Sequence, residues 1–217
     1  MHPLVQHGRV SPPPPTPHPA PQSQVTLDSS DWLAILRGLR DGLEARGQLG
    51  SVRLGVGTVM DDSVGVLHLA ADAGATFALS PIDPMGFVDE CHRLGLLPVP
   101  SAFTSNEWWA LHRRGVRLIK WFHAGLASPK LLRSMLSVSP LANLHILPSG
   151  GVSPSNAAEW LDAGAAAVGM GSNLVGKELS VAEGMAAYEA AAADWAAQGR
   201  EAARALFSSI KRATTKV

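Results

Sequence analysis

From Val25 onward, short apolar runs alternate with longer stretches whose apolar residues recur at helical spacing. Runs of the first kind predict strands, and stretches of the second kind predict amphipathic helices. Strands are expected at Val25–Leu27, Val52–Val56, Thr76–Leu79, Leu96–Val99, Val116–Phe122, Leu144–Leu147 and Ala165–Met170. Helices are expected near Trp32–Arg46, Ser63–Ala73, Pro84–Leu94, Ser105–Arg114, Pro129–Leu136 and Ser155–Ala163. An Ala-rich helical segment near Val181–Arg212, with a candidate break at Gly199, closes the chain. Asp28, Ser29, Ser30 and Asp31 offer N-cap oxygens to the first helix, and Gly74, Gly95, Gly115 and Gly164 stop four of the others. Strands alternating with helices predict a parallel sheet covered by helices. Recurrent β-α-Gly-β units without a dinucleotide fingerprint favour a (β/α) barrel over an open, doubly wound sheet.

Composition changes this picture at one end. Residues 1–24 hold eight of the sixteen prolines and one formal charge, Arg9. Such a stretch buries too little apolar surface to offset its ordering entropy, so a disordered, Pro-rich head is expected. Residues 25–217 remain for one folded domain, and 217 − 24 leaves 193 residues. A complete eight-unit barrel takes about 250 residues, so this count is short by about one βα unit.

Charge and cysteine content exclude several classes. Eighteen basic residues balance eighteen acidic ones, so no strong net field draws nucleic acid or an anionic membrane. One cysteine, Cys91, excludes an internal disulfide and a cysteine-rich zinc site. No zinc, calcium or nucleotide-loop motif is present, and no cofactor is expected. No apolar run approaches the roughly 20 residues that span a bilayer. The head lacks the charged start and apolar core of a secretory signal. A soluble, cytoplasmic protein is the default expectation, with an organelle location left open.

Candidate chemistry lies at the strand ends, where the βα loops of a barrel gather. Lys120 sits in the apolar run Val116–Phe122 and shares a face with Val116 and Leu118 by alternation. A lysine kept from water has a lowered pKa and a nucleophilic amine, as Schiff-base chemistry requires. The other reading is that its stem snorkels past apolar neighbours. Ser149-Gly150-Gly151 and Gly169-Met170-Gly171-Ser172 end two strands one βα period apart. Their glycines allow backbone N–H groups to approach an anion, and tight turns without a ligand are the alternative. Thr58 follows Gly55-Val56-Gly57 as a candidate for holding a substrate oxygen, or as a simple turn residue. Thr104 or Ser105 is expected to cap a helix with Glu107 in its first turn. His123 is read as a loop residue ahead of an acid or base. Trp108 and Trp109 are read as helix packing.

Taken in order, these motifs resemble a known family. The segments are "GVGTVMD" from Gly55, "AGATFALSPI" from Ala73, "LPVPSAFTSNE" from Leu97, "GVRLIKWFHA" from Gly115 and "LPSGGVSPSNAAEWLDAGAAAVGMGS" from Leu147. "SQVTLDSSDW" from Ser23 extends the likeness upstream. The chain is similar to the 2-keto-3-deoxy-6-phosphogluconate aldolases and the related phosphogalactonate aldolases, class I Schiff-base enzymes. That resemblance implies a TIM-type (β/α)8 barrel that forms a homotrimer. It implies cleavage of a phosphorylated 2-keto-3-deoxy sugar acid to pyruvate and glyceraldehyde 3-phosphate. Lys120 matches the Schiff-base lysine and Thr58 the threonine near the pyruvyl carboxylate. Ser149, Gly150, Gly151 and Ser172 match the phosphate-holding turns, with Gly171 beside them.

Some positions depart from the pattern. Gln24 stands where the family has a glutamate that serves as general acid/base. An amide orients water but shuttles no proton near neutral pH. Asp28, His123 and Ser101 replace a frequent arginine, a proline and a loop glycine. The first βα unit has no counterpart, and the Pro-rich head stands in its place. Weakened activity is therefore expected. The rivals are a non-catalytic phospho-ligand-binding barrel, and a truncated homologue or misread start.

Overall fold

The structure, a computed structural model, describes residues 29–171, 197–208 and 210. The head, Gln24, the strand expected at Val25–Leu27, Ser172 and most of the final helical segment lie outside the described residues. Residues 197–208 are helical, and Leu206 packs against the core.

Five strands are present: β1 Gly55–Val56, β2 Phe77–Leu79, β3 Leu97–Val99, β4 Ile119–Phe122 and β5 Ile146–Ser149. β1, β2 and β3 pair in parallel, and so do β4 and β5. Parallel bridges extend the series, with Ser101 against Lys120 between β3 and β4, and Ser149 against Gly169 beyond β5. Each strand therefore lies beside its successor in the chain, without a reversal. A doubly wound sheet reverses its order at a switch point, whereas the wall of a barrel winds one way.

The helices are α1 Ser29–Ala45, α2 Leu67–Asp72, α3 Phe87–Arg93, α4 Ser105–Arg113, α5 Pro129–Leu136 and α6 Ala157–Asp162. Several are shorter than the apolar pattern suggests. Residues Asp61–Val66 form a 3₁₀ segment before α2. α3 starts at Phe87 because Gly86 adopts a left-handed φ of 73°. The strand expected from Val116 starts at Ile119, because the Val116 N–H bonds to the Leu111 carbonyl and closes the end of α4. The segment expected as a strand at Ala165–Met170 bonds through Ala166 to Ile146 and through Gly169 to Pro148. Its donors are three residues apart and their acceptors two, so one extra residue bulges the pairing.

α4 is capped as its sequence suggests. The Thr104 hydroxyl accepts from the Glu107 N–H, and Glu107 Oε2 accepts from the Thr104 N–H at 2.7 Å. Oε2 also accepts from the Thr104 hydroxyl and the Phe103 N–H, and these bonds lower the Glu107 pKa. The cap fixes the loop between β3 and α4.

β4 alternates in burial, and that alternation orients the site. Ile119 and Trp121 are fully buried, while Lys120 and Phe122 are half-buried. Trp121 packs edge-on against Trp108 of α4 and Trp160 of α6, at centroid distances of 5.2 and 5.9 Å. Its indole N–H donates to the Phe103 carbonyl at 3.1 Å. Trp121 thus faces the helices, and Lys120 and Phe122 face the other side of the sheet.

Cys91, on α3, is wholly buried, and burial pushes its thiol up to about 12. The folded chain is expected to ignore an aromatic disulfide reagent at pH 8 and to take up one equivalent in urea. Rapid labelling of the folded protein would contradict this packing.

Candidate active site

β4 presents Lys120 on the face away from the helices. Its N–H donates to the Pro100 carbonyl, and its own carbonyl accepts from the Ala102 N–H. The lysine is thereby pinned between the β3 end and β5. Its Nζ lies 4.4 Å from the centre of the Phe122 ring. Burial lowers its pKa. Among the described residues no carboxylate pairs with it. The ring face of Phe122 is its one favourable electrostatic neighbour there. Phe122 was not singled out from the sequence, although it lies two residues from Lys120 and so shares its face.

The turn after β5 is built against the turn after β4. Phe122 and Ser149 are register partners. Gly150 and Gly151 have φ of 76° and 99°. A Cβ on Gly150 would lie 2.8 Å from the Phe122 ring. One on Gly151 would lie 2.6 Å from Gly125 Cα. The Gly125 N–H donates to the Gly150 carbonyl at 2.6 Å, so the two turns meet backbone to backbone. Asn156, missed in the sequence, closes the second turn by donating to the Gly151 carbonyl at 3.1 Å. It also accepts from the Ser153 N–H at 2.9 Å. The helix expected from Ser155 begins at Ala157 and has six residues, so turns rather than helix follow Gly151.

Ser149 bridges to Gly169, where a Cβ would come within 2.9 Å of the serine hydroxyl. Gly171 is exposed, with no described residue within 4 Å of the place where its Cβ would stand. The structure therefore gathers Lys120, Phe122, Ser149, Gly150 and Gly151 on adjacent strands, with Gly171 one strand further.

Thr58 stands three strands away along the wall, two residues beyond the end of β1. It is exposed, with φ of 56°, the only positive φ among the described non-glycine residues. A β-branched residue in that region is strained, and such strain persists only where neighbours enforce it. Here the next residue is anchored: Val59 is buried and its N–H donates to the Leu79 carbonyl at 3.1 Å.

A cavity of about 370 Å³ opens between the ends of β2, β3 and β4. Pro81, Ile82, Ser101, Phe103, Glu107 and Phe122 line it. It lies beside Lys120 rather than over it, with Phe122 common to both. His123 is exposed and stacks on Phe122 at 3.6 Å between centroids, as a loop residue. Among the described residues no cluster of three metal-ligating side chains occurs, and no helix is long and apolar enough to cross a membrane.

A one-way parallel wall, with a lysine on the face away from its helices and glycine turns at its loop-bearing end, defines an α/β protein of barrel type. Residues 25–190 match the family model for KDPG and KHG aldolases, and the chain belongs to that family of carbon–carbon lyases. It is 26% identical over 151 residues to the 2-dehydro-3-deoxy-6-phosphogalactonate aldolase of Escherichia coli, covering 70% of each chain. It is 32% identical over 143 residues to the 2-dehydro-3-deoxy-phosphogluconate aldolase of Pseudomonas aeruginosa. That match spans 64% of this chain and 59% of the relative. A solved structure titled "Native KDPGal structure" shares the TIM-type fold, with a TM-score of 0.65 at 22% identity. It covers 85% of this chain and 78% of that one.

Proposed function

We propose that this chain is a class I aldolase that cleaves a 2-keto-3-deoxy-6-phospho sugar acid to pyruvate and glyceraldehyde 3-phosphate. The observation that carries the proposal is Lys120. It is half-buried on the face away from the helices, has a lowered pKa and has no carboxylate partner among the described residues. A lysine poised this way is partly deprotonated at lower pH than a free one and attacks carbonyl carbon.

The amine adds to the substrate ketone, and loss of water gives an iminium. The C4 hydroxyl gives up its proton to solvent water, the C3–C4 bond breaks with its electron pair flowing into the iminium, and the aldehyde leaves. The resulting enamine takes a proton at C3, and water then frees pyruvate and Lys120. In this reading Thr58 holds the carboxylate, while Ser149, Gly150, Gly151, Gly171 and Ser172 hold the phosphate. Phosphate binding remote from the broken bond supplies orientation. Gln24 takes the position of the acid/base and only orients water. Closure of the wall into a (β/α)8 barrel, and its assembly as a homotrimer, belong to the same proposal.

Borohydride reduction with millimolar pyruvate tests it. A reduced three-carbon adduct on Lys120, located by mass mapping, is expected. Folded protein without an adduct would rule out the lysine mechanism. Phosphate binding without an adduct would instead favour a barrel that binds phospho-ligands without turnover, a reading that Gln24 supports.

A further inference from the structure

Lys120 has a second neighbour that the proposed mechanism leaves unused. Ser101 is its bridge partner across the seam between β3 and β4. Paired residues of a parallel ladder present their side chains to the same face. Ser101 lines the same cavity as Phe122, the residue whose ring lies under Lys120 Nζ.

Only two polar residues are buried among the described residues, Ser80 and Ser101. The Ser80 hydroxyl is occupied, accepting from the Ile82 N–H at 3.1 Å. Ser101 uses its backbone N–H on the Ile82 carbonyl at 2.9 Å, and no hydrogen bond engages its hydroxyl among the described residues. No wholly buried side-chain polar atom there lacks a partner. Ser101 is thus a buried residue of the cavity wall whose hydroxyl no described residue engages.

We infer that Ser101 is a catalytic hydroxyl of the Lys120 site, relaying a proton from the lysine nitrogen to the substrate's carbonyl oxygen. The inference rests on Lys120 being the nucleophile. Attack forms the N–C bond and breaks the C=O π bond, leaving a protonated nitrogen and an alkoxide. The nitrogen's proton passes to Ser101 Oγ as the serine's own proton passes to the alkoxide. The product is a neutral carbinolamine, and the serine ends as it began. A hydroxyl both donates and accepts, so it performs this exchange without ionising. Among the described residues no carboxylate is bonded to Lys120 to do the same work, and His123 is exposed.

The test is quench-flow trapping of the pyruvate adduct with borohydride in the full chain. Ser101→Ala is expected to slow adduct formation by about 10²-fold, the scale of a positioned proton-transfer group, while reaching full adduct at long times. Ser101→Thr keeps the hydroxyl and should recover most of the rate. In H₂O/D₂O mixtures the native rate should vary non-linearly with deuterium content, as for two protons in flight, and the Ser101→Ala rate linearly. Ser101→Gly, with near-UV circular dichroism, separates lost packing from lost chemistry. An unchanged rate in Ser101→Ala, or equal slowing in Ser101→Thr, would overturn the inference while leaving Lys120 as nucleophile. Absence of any adduct in the native chain would sink the lysine mechanism, and this inference with it.

Discussion

Lys120→Met is expected to abolish aldol cleavage and to make the protein more stable. Removing a covalent nucleophile typically costs roughly 10⁴–10⁶-fold in rate. Methionine nearly matches the lysine stem in length, so the neighbours need little repacking. The stability gain follows from the environment. Burial lowers the Lys120 pKa, so holding it charged in the fold is unfavourable. Below the depressed folded value both states are protonated, and the folded one bears the full penalty. As pH rises from that value toward the ordinary lysine value of about 10.4, the unfolded chain holds more protons than the folded one. Stability then rises with pH in that window. The variant has no penalty to lose. It should be more stable at pH 7, with the gap narrowing toward pH 10. Thermal unfolding of both proteins across pH 7–10 measures it. A destabilised variant, or a constant gap, would mean that Lys120 is solvated or paired.

Gly151→Ala should do the largest damage to the fold around the site. Its Cβ would meet the backbone of Gly125, at 2.6 Å from Cα and 2.9 Å from N, and backbone cannot rotate away as a side chain does. The left-handed φ of 99° adds strain of its own. Strain and overpacking together predict a loss of about 2–5 kcal/mol in urea unfolding. Inorganic phosphate binding should fall with it, because the turns after β4 and β5 would separate. Gly171→Ala is the control: no described residue stands near its Cβ, so stability should hold while phosphate binding weakens. Equal stability of the two variants would show that the two turns do not depend on each other.

Much of the architecture is legible in hydrophobic periodicity, and the site only partly so. The strand carrying Lys120 stands out because alternation leaves one charged residue on an apolar face. Its start is misplaced by three residues, since Val116 is apolar and buried yet bonds back to α4. Gly86 delays the start of a continuous helical pattern by its backbone conformation alone. The paired glycine turns are readable from their spacing. The contact of the first with the turn after β4 is not, because it depends on Gly125, which lies in a separate loop. Ser101 is the clearest case of missing information. Nothing around it in the chain ties it to Lys120, and only the register between β3 and β4 does so.

The three tryptophans behind Lys120 have an optical consequence. Trp108, Trp121 and Trp160 meet edge to face at 89° and 86°, a rigid and asymmetric arrangement of coupled chromophores. Trp121 is one residue from Lys120 on the opposite face of the same strand, and its indole N–H holds the Phe103 carbonyl at the rim of the cavity. The chain therefore carries its own reporter, whose near-ultraviolet dichroism and emission register events on the lysine side from the helix side, without any added label.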